Sequence, residues 1–257
     1  MIRREEREGW ILINQNDHAR LAGNIMSYWG NEEFSKPNPY EEVIFAISEH
    51  DNGWKEWDAL PKVNPSNRYP MNFLEMDSVE QYCIWRRCFK RYSAAHPYAS
   101  ALIALHFGKL NEKSLNKGRK NSIAHSCYME IIGFVSEMLH INLSTLDTKC
   151  LPEDIRVNLR LVQIGDIISL ALCHGWFSLD IPNVPLDYNG RSVTLSLRST
   201  DGINYVVRPY PFFKPFMRHS VIGRRLNQKR FSGDEELREK LRESVPNVLT
   251  FSIMEEM

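Results

Sequence analysis

The chain has 257 residues, long enough for one large core or for one core plus a small added module. Hydrophobic residues make up 43% and charged residues 25%, an ordinary globular composition that excludes a largely disordered chain. Lys+Arg and Asp+Glu are equal at 32 each, so no global positive charge exists to drive nucleic-acid binding, which would need a local basic patch.

The chain opens on Arg3, Arg4, Glu5, Glu6, Arg7 and Glu8, a mixed-charge stretch with no apolar run behind it, so it does not read as a signal peptide. Trp10 to Ile13 reads as a short extended segment. Asn16 and Asp17 can then cap a helix running to about Trp29, whose apolar side is Leu21, Ala22, Ile25, Met26 and Trp29, with His18 on the same side. A loop with Pro37 and Pro39 leads to a second helix from about Tyr40 to His50, with Val43, Ala46 and Ile47 inward. Residues 52–77, with Gly53, Pro61, Pro65 and Pro70, read as a long irregular segment.

Helical spacing returns from Ser78 to Tyr92 and again from Pro97, a good first-turn residue, to Leu110. The latter helix carries Ala99, Leu102, Ile103, His106 and Leu110 on one face. Residues 111–121 are polar and basic, with Lys113, Lys117, Arg119 and Lys120, and read as a solvated loop. Helices follow from about Ser122 to His140 and from Pro152 to His174, the second with Leu159, Val162, Asp166, Leu170 and Cys173 along one stripe. Beyond Trp176 the pattern becomes extended. Ser192 to Arg198 and Ile203 to Arg208 read as a hairpin turning at Asp201-Gly202, followed by a short helix near Asp234 to Glu243 and a last strand near Val248 to Ile253. Arg218, Arg224, Arg225, Lys229 and Arg230 lie near Phe216 and Phe231, but in a neutral chain this cluster reads as a solvated face and nucleic acid is not an expected partner.

Five cysteines without a CxxC pair favour reduced thiols over a disulfide framework or a zinc module of cysteines. No stretch approaches the roughly 20 apolar residues of a membrane span. Together these features predict a cytoplasmic protein. No phosphate-loop Gly-Lys-Ser/Thr, no GxGxxG and no GxSxG is present.

The chemistry concentrates on inward polar residues. Asp166 lies on the apolar side of its helix, where a carboxylate costs several kcal/mol unless it is paired or coordinated. His18, the His50-Asp51 pair and His106 occupy comparable positions on other helices. Imidazole nitrogens and carboxylate oxygens together suit zinc, iron, manganese and similar ions. Taken singly, each histidine reads as a core residue, and Asp17 reads equally as a helix cap. Trp54 and Trp57, beside the pair, fit either a pocket wall or core packing.

The order His18, His50-Asp51 and Asp166, the last within Leu161-Val162-Gln163-Ile164-Gly165-Asp166, resembles the HD superfamily of metal-dependent phosphohydrolases. His50-Asp51-Asn52-Gly53-Trp54 is similar to that superfamily's His-Asp-x-Gly turn. The whole chain also resembles a bacterial family of similar length with no assigned activity, through Gln15-Asn16-Asp17-His18-Ala19, the same turn, and Gln163, Asp166 and Ser169. The superfamily resemblance covers roughly residues 15–175. It implies that His18, His50, Asp51 and Asp166 hold a divalent metal (zinc, manganese, magnesium or iron). It implies catalytic roles for Asp51 and His106, with Gln15, Asp17, His106 and Gln163 supporting the ligands or a second metal. His96 and His125 are alternatives to His106.

The expected fold is mainly α: an HD-like antiparallel helical bundle with a small C-terminal appendage containing a β-hairpin. The expected domains are residues 1–180, metal-binding and helical, and residues 181–257, a small α+β module packed on them. The expected function is metal-dependent hydrolysis of a phosphate ester, with a small phosphorylated molecule as substrate. A di-iron oxygenase and a non-catalytic metal-binding scaffold are the alternatives.

Overall fold

The computed structural model describes residues 1–115 and 122–256, so Lys117, Arg119 and Lys120 of the basic segment lie outside the described residues. The chain begins with strands β1 (Ile2–Glu5) and β2 (Trp10–Ile13). Helices α1 (Gln15–Met26), α2 (Tyr40–Glu49) and the short α3 (Lys55–Asp58) follow, then α4 (Ser78–Lys90), α5 (Pro97–Leu115), α6 (Ser122–Leu139) and α7 (Glu153–His174). The C-terminal part comprises β3 (Ser178–Pro185), β4 (Ser192–Ser199), β5 (Asn204–Arg208), β6 (Phe216–Leu226), α8 (Asp234–Glu243) and β7 (Pro246–Glu255).

The expectation of a mainly-α bundle with a small β appendage is overturned. The structure is 46% helical and 22% strand, and among the described residues seven strands form one mixed sheet curled into a half-barrel. The strand order is β1-β2-β6-β7-β5-β4-β3, antiparallel throughout except for β5 beside β7. The hairpin at Asp201-Gly202 is present, but it is only one piece of this sheet. Gly202 takes φ +69° at the turn, and Asp201 accepts the backbone N–H of Ile203 and Asn204. The decisive link is long-range: Trp10–Ile13 pairs with Gly223–Leu226, so the N-terminal strands and the C-terminal strands share a ladder.

Two local causes explain why these strands are cryptic. β2 is buried at all four positions, so its sequence WILI shows no alternation of apolar and polar residues. β6 alternates, with Met217, Val221, Gly223 and Leu226 inward, but the outward positions hold the arginines that read as a basic cluster. Those cations have local partners: Arg225 lies 3.5 Å from Glu6, Lys229 lies 2.6 Å from Glu5, and Arg224 donates to the Ser244 carbonyl.

The sheet lies against the helical layer at its two ends. α7 packs on β1 and β3, and α1 packs on β6. Arg4 of β1 donates to the Leu172 carbonyl near the end of α7, and the Tyr205 hydroxyl reaches the Ala171 carbonyl. α1, α2, α5 and α7 pack on one another, which brings the polar residues singled out above to one place. Among the described residues, no helix is long and apolar enough to cross a membrane.

Candidate metal centre

Helix α1 starts where the Gln15 amide donates to Oδ2 of Asp58, 2.7 Å away. Its inward stripe runs His18, Leu21, Ala22, Ile25, so the apolar residues that bury the helix also bury the imidazole, which is 1% exposed. Helix α2 ends at Glu49, and the next residues, His50 and Asp51, enter a tight turn at Asn52–Trp54. That turn is pinned to α4: the Asn52 amide donates to the Glu49 and Cys88 carbonyls, and the Gly53 N–H to Sγ of Cys88. A Cβ on Gly53 would fall 2.4 Å from the Ile84 carbonyl oxygen, so only glycine lets the turn sit this close to α4.

Helix α7 approaches α1 and α2 through Gly165, where a Cβ would lie 2.8 Å from Ile47 and 3.0 Å from Met26 side-chain atoms. The neighbouring residue is Asp166. The close approach that Gly165 allows therefore delivers the carboxylate to the histidines.

His18 Nε2 lies 2.8 Å from Asp51 Oδ2. His50 Nε2 lies 3.7 Å from Asp51 Oδ2 and 3.5 Å from Asp166 Oδ1, and His106 Nε2 lies 3.6 Å from Asp166 Oδ2. Two overlapping groups thus have donor atoms within 4.8 Å of one another: His18, His50 and Asp51, and His50, His106 and Asp166. Two ligand atoms bound about 2.1 Å from one ion sit about 3–3.5 Å apart, so the longer separations here suit a shared cation.

The far side of each ring decides what the near side offers. A neutral imidazole has one proton for two nitrogens. His50 Nδ1 is 2.8 Å from the Ile47 carbonyl, which can only accept, so Nδ1 holds the proton and Nε2 presents a lone pair. His18 Nδ1 is 2.9 Å from Ser169 Oγ, whose own proton goes to the Asp166 carbonyl. His18 Nε2 therefore also presents a lone pair. In the neutral rings both lone pairs face carboxylate oxygens, an arrangement that is repulsive unless a second ring proton or a shared cation lies between them. Buried atoms without hydrogen-bond partners, among the described residues, include His50 Nε2 and His106 Nδ1. The donor set and the orphaned His50 Nε2, which faces both carboxylates, fit a divalent ion.

The electrostatics carry the same signature. Burial alone would lower the His50 imidazole, but the charges of Asp51 and Asp166, with the Ile47 carbonyl, outweigh it and lift the group to about 9. Burial dominates at His106 and pushes it down to about 4, against the pull of Asp166. Burial would raise Asp166, yet His50, His106 and His18 hold it well below the usual carboxylate range. The centre draws positive charge to one point.

A cavity of about 690 Å³ opens onto the centre and is lined by His18, His50, Asp51, His106 and Asp166. Asp166 is the most accessible of the five, its side chain 18% exposed. The cavity wall is mostly aromatic and aliphatic, including Trp54, Phe73, Trp85 and Phe107.

Other residues expected near the site divide. Gln15 and Gln163 line the cavity. Asp17 turns away and accepts from the Asn14 amide. His96 stacks on Phe45 and pairs with Glu42, and His125 is exposed. Trp57 packs edge-on against Trp54 behind the wall. Sequence reasoning gave no role to the Ser169 hydroxyl, three residues after Asp166 at helical spacing, or to Arg160, six residues before it.

Residues 1–228 match the model of a family described as a protein of unknown function, DUF3891. No curated protein and no solved structure matches the chain.

Proposed function

The chain belongs to the DUF3891 family, and we propose that its histidine–aspartate centre binds one divalent cation and hydrolyses a small phosphate ester. The observation that carries the metal assignment is the pair of lone pairs on His18 and His50. Both are fixed from behind, by Ser169 and Ile47; His18 is aimed at Asp51, and His50 at Asp51 and Asp166. Two carboxylates and neutral imidazoles balance a divalent charge without further help.

The order of the ligands along the chain, with a tight Gly-containing turn after His50-Asp51, supports relating the centre to that of the HD superfamily. The cavity supports an enzyme over a closed structural site, since a catalytic ion needs a face open to substrate. His50 offers a single nitrogen because Nδ1 is committed to Ile47. It can serve only one ion, so a second ion would have to be held by His106 and the carboxylates.

A divalent ion here would lower the pKa of a bound water from 15.7 toward about 7 and polarise the oxygen under attack. His18, His50 and Asp51 would hold it from the buried side. Asp166, the ligand most open to the cavity, would orient the attacking water by accepting a hydrogen bond. His106, neutral because burial keeps it so, would add a ligand or steady a phosphoryl oxygen by a hydrogen bond. The low affinity of His106 for a proton argues against its acting as the charged acid for the leaving group.

The test is elemental analysis of protein purified without chelators, beside assays on phosphomonoesters and phosphodiesters with zinc, manganese, magnesium and iron(II). One ion per chain and chelator-sensitive hydrolysis are expected. Metal-replete protein that is inert on every ester would overturn the hydrolase reading and leave the metal assignment standing.

A further inference from the structure

Resting on that reading, we propose that Arg160 anchors a second anionic group of the substrate, about 9 Å along α7 from Asp166. The substrate class is therefore an organic phosphate with an apolar body and a further phosphate or carboxylate at its other end.

Arg160 lies where two cavities meet. It lines the cavity of the metal centre and a neighbouring one of about 550 Å³, and Lys109, Gln163 and Pro182 line both as well. The two walls run in step. On α7, Asp166, Gln163 and Arg160 succeed one another at intervals of three residues. On α5, His106 is followed three residues later by Lys109. The metal-facing end of each helix face thus leads, one or two turns on, to a cation.

The guanidinium is charged but not neutralised. Among the described residues no carboxylate lies within 4 Å of Arg160 in an ion pair, whereas its acidic neighbours in these cavities have cations of their own. Asp180 holds Arg198, Glu153 holds Arg156 and Asp187 holds Arg191. Arg160 donates instead to neutral acceptors: Nε to the Asn183 carbonyl at 3.2 Å, Nη1 to Gln163 Oε1 at 3.0 Å, and Nη2 to the Pro182 carbonyl. Those contacts fix the fork in position and leave one N–H on each terminal nitrogen of the five that arginine carries. A half-buried, immobilised guanidinium without a counter-charge, facing a cavity, is a receptor for a carboxylate or phosphate oxygen pair. The cavity that it shares with the metal centre also presents Phe107, Leu110 and Ile167, which suit an apolar body of the ligand.

The test uses metal-loaded protein and three families of alkyl monophosphates of graded chain length, ending in methyl, carboxylate or phosphate. Binding is measured by calorimetry, so turnover is not required. At chain lengths that span the two sites, one or both anionic ends should bind about 10–100-fold more tightly than the methyl end. Which of the two gains more identifies the natural terminal group. Arg160→Gln should abolish that gain and leave the methyl series unchanged, and Arg160→Lys should keep part of it. An equal loss for all three series, or no advantage of an anionic end in the wild type, overturns the proposal while the metal centre reading stands. Failure of every series to bind the metal-loaded wild type overturns the proposal and the phosphate-ester reading together. Thermal melting of the two variants, with their metal content, separates loss of a receptor from loss of the contact between α7 and β3.

Discussion

His18 Nε2 stands 2.8 Å from Asp51 Oδ2, although the hydrogen bonds behind the ring leave that nitrogen without a proton in its neutral form. The contact is satisfied either by an imidazolium or by a cation shared between the two groups. Which of the two occupies the centre sets the behaviour of the whole site.

The ring is steered from behind by Ser169. Ser169→Ala removes the acceptor for the His18 Nδ1–H and leaves a buried donor unpaired, so the ring is free to rotate or change tautomer. Loss of such a supporting hydrogen bond typically weakens metal affinity by about 10–100-fold. Competition with a chromophoric chelator measures this directly. Ser169→Thr keeps the hydroxyl and should retain more affinity than the alanine variant. Unchanged affinity in Ser169→Ala would remove His18 from the ligand set.

The protonation of His50 gives a second test. Its folded value of about 9 lies above the ordinary 6.5, so the folded state binds the proton more tightly than the unfolded state. The stabilisation is fully present below pH 6.5 and is lost as pH rises to about 9. His106 works the other way: folded at about 4 against 6.5, it costs stability as pH falls between those values. Asp166, held low in the fold, contributes stability above its ordinary 3.8 that is lost in stronger acid. Metal-free protein should therefore be most stable near pH 6.5, the value at which the two histidine contributions meet. A divalent ion must displace the His50 proton, so binding at pH 7 should release about one proton and tighten about tenfold per pH unit. Calorimetry in two buffers of different ionisation enthalpy reads the proton count. A count of zero would exclude His50 as a ligand.

The site was more legible in the sequence than the fold. His18, His50, His106 and Asp166 could be picked out because each lies at helical spacing within an apolar stripe, where a polar side chain needs an explanation. The sheet offered no comparable signal. β1 has four residues, β2 is buried on both faces, and β3 is interrupted by Pro182 and Pro185 and by a register shift between Ile181 and Val184. The pairing of β2 with β6 joins residues more than 200 positions apart, which no local pattern encodes. Arg160 was passed over for a different reason: an arginine on a helix normally reads as solvated surface, and only the cavity beside it shows otherwise.

Packing between α7 and the helices that carry the histidines depends on a missing side chain. Gly165→Ala would set a methyl group 2.8 Å from Ile47 and 3.0 Å from Met26 side-chain atoms, next to Asp166. Overpacking of this kind costs about 1–3 kcal/mol. It should also loosen metal binding, because any shift of α7 moves Asp166 from His50. Gly133 is the control: it lies in α6, and an added Cβ would meet nothing within 4 Å. Gly133→Ala should stabilise by roughly 0.5–1 kcal/mol through helix propensity. Thermal melting with metal titration on both variants tests the pair, and equal effects would refute the role given to Gly165.

The last prediction separates Asp51 from His106. Asp51→Ala removes the carboxylate that faces both His18 and His50, leaving Asp166 alone to offset the charge of a divalent ion. Bound metal and phosphate-ester hydrolysis should be lost together. His106 comes from a separate helix, with Nε2 3.6 Å from Asp166, and the ion would keep His18, His50, Asp51 and Asp166 without it. His106→Ala should therefore retain most of the metal while turnover falls, by about 10²-fold if one hydrogen bond to the developing phosphoryl charge is lost. Since His106 is neutral near pH 7, removing it should leave the acid limb of the pH–rate profile in place. Metal content by mass spectrometry and kcat against pH, for both variants and the wild type, decide the matter. Equal metal loss in the two would make His106 an essential ligand. A vanished acid limb in His106→Ala would restore it to the part of proton donor.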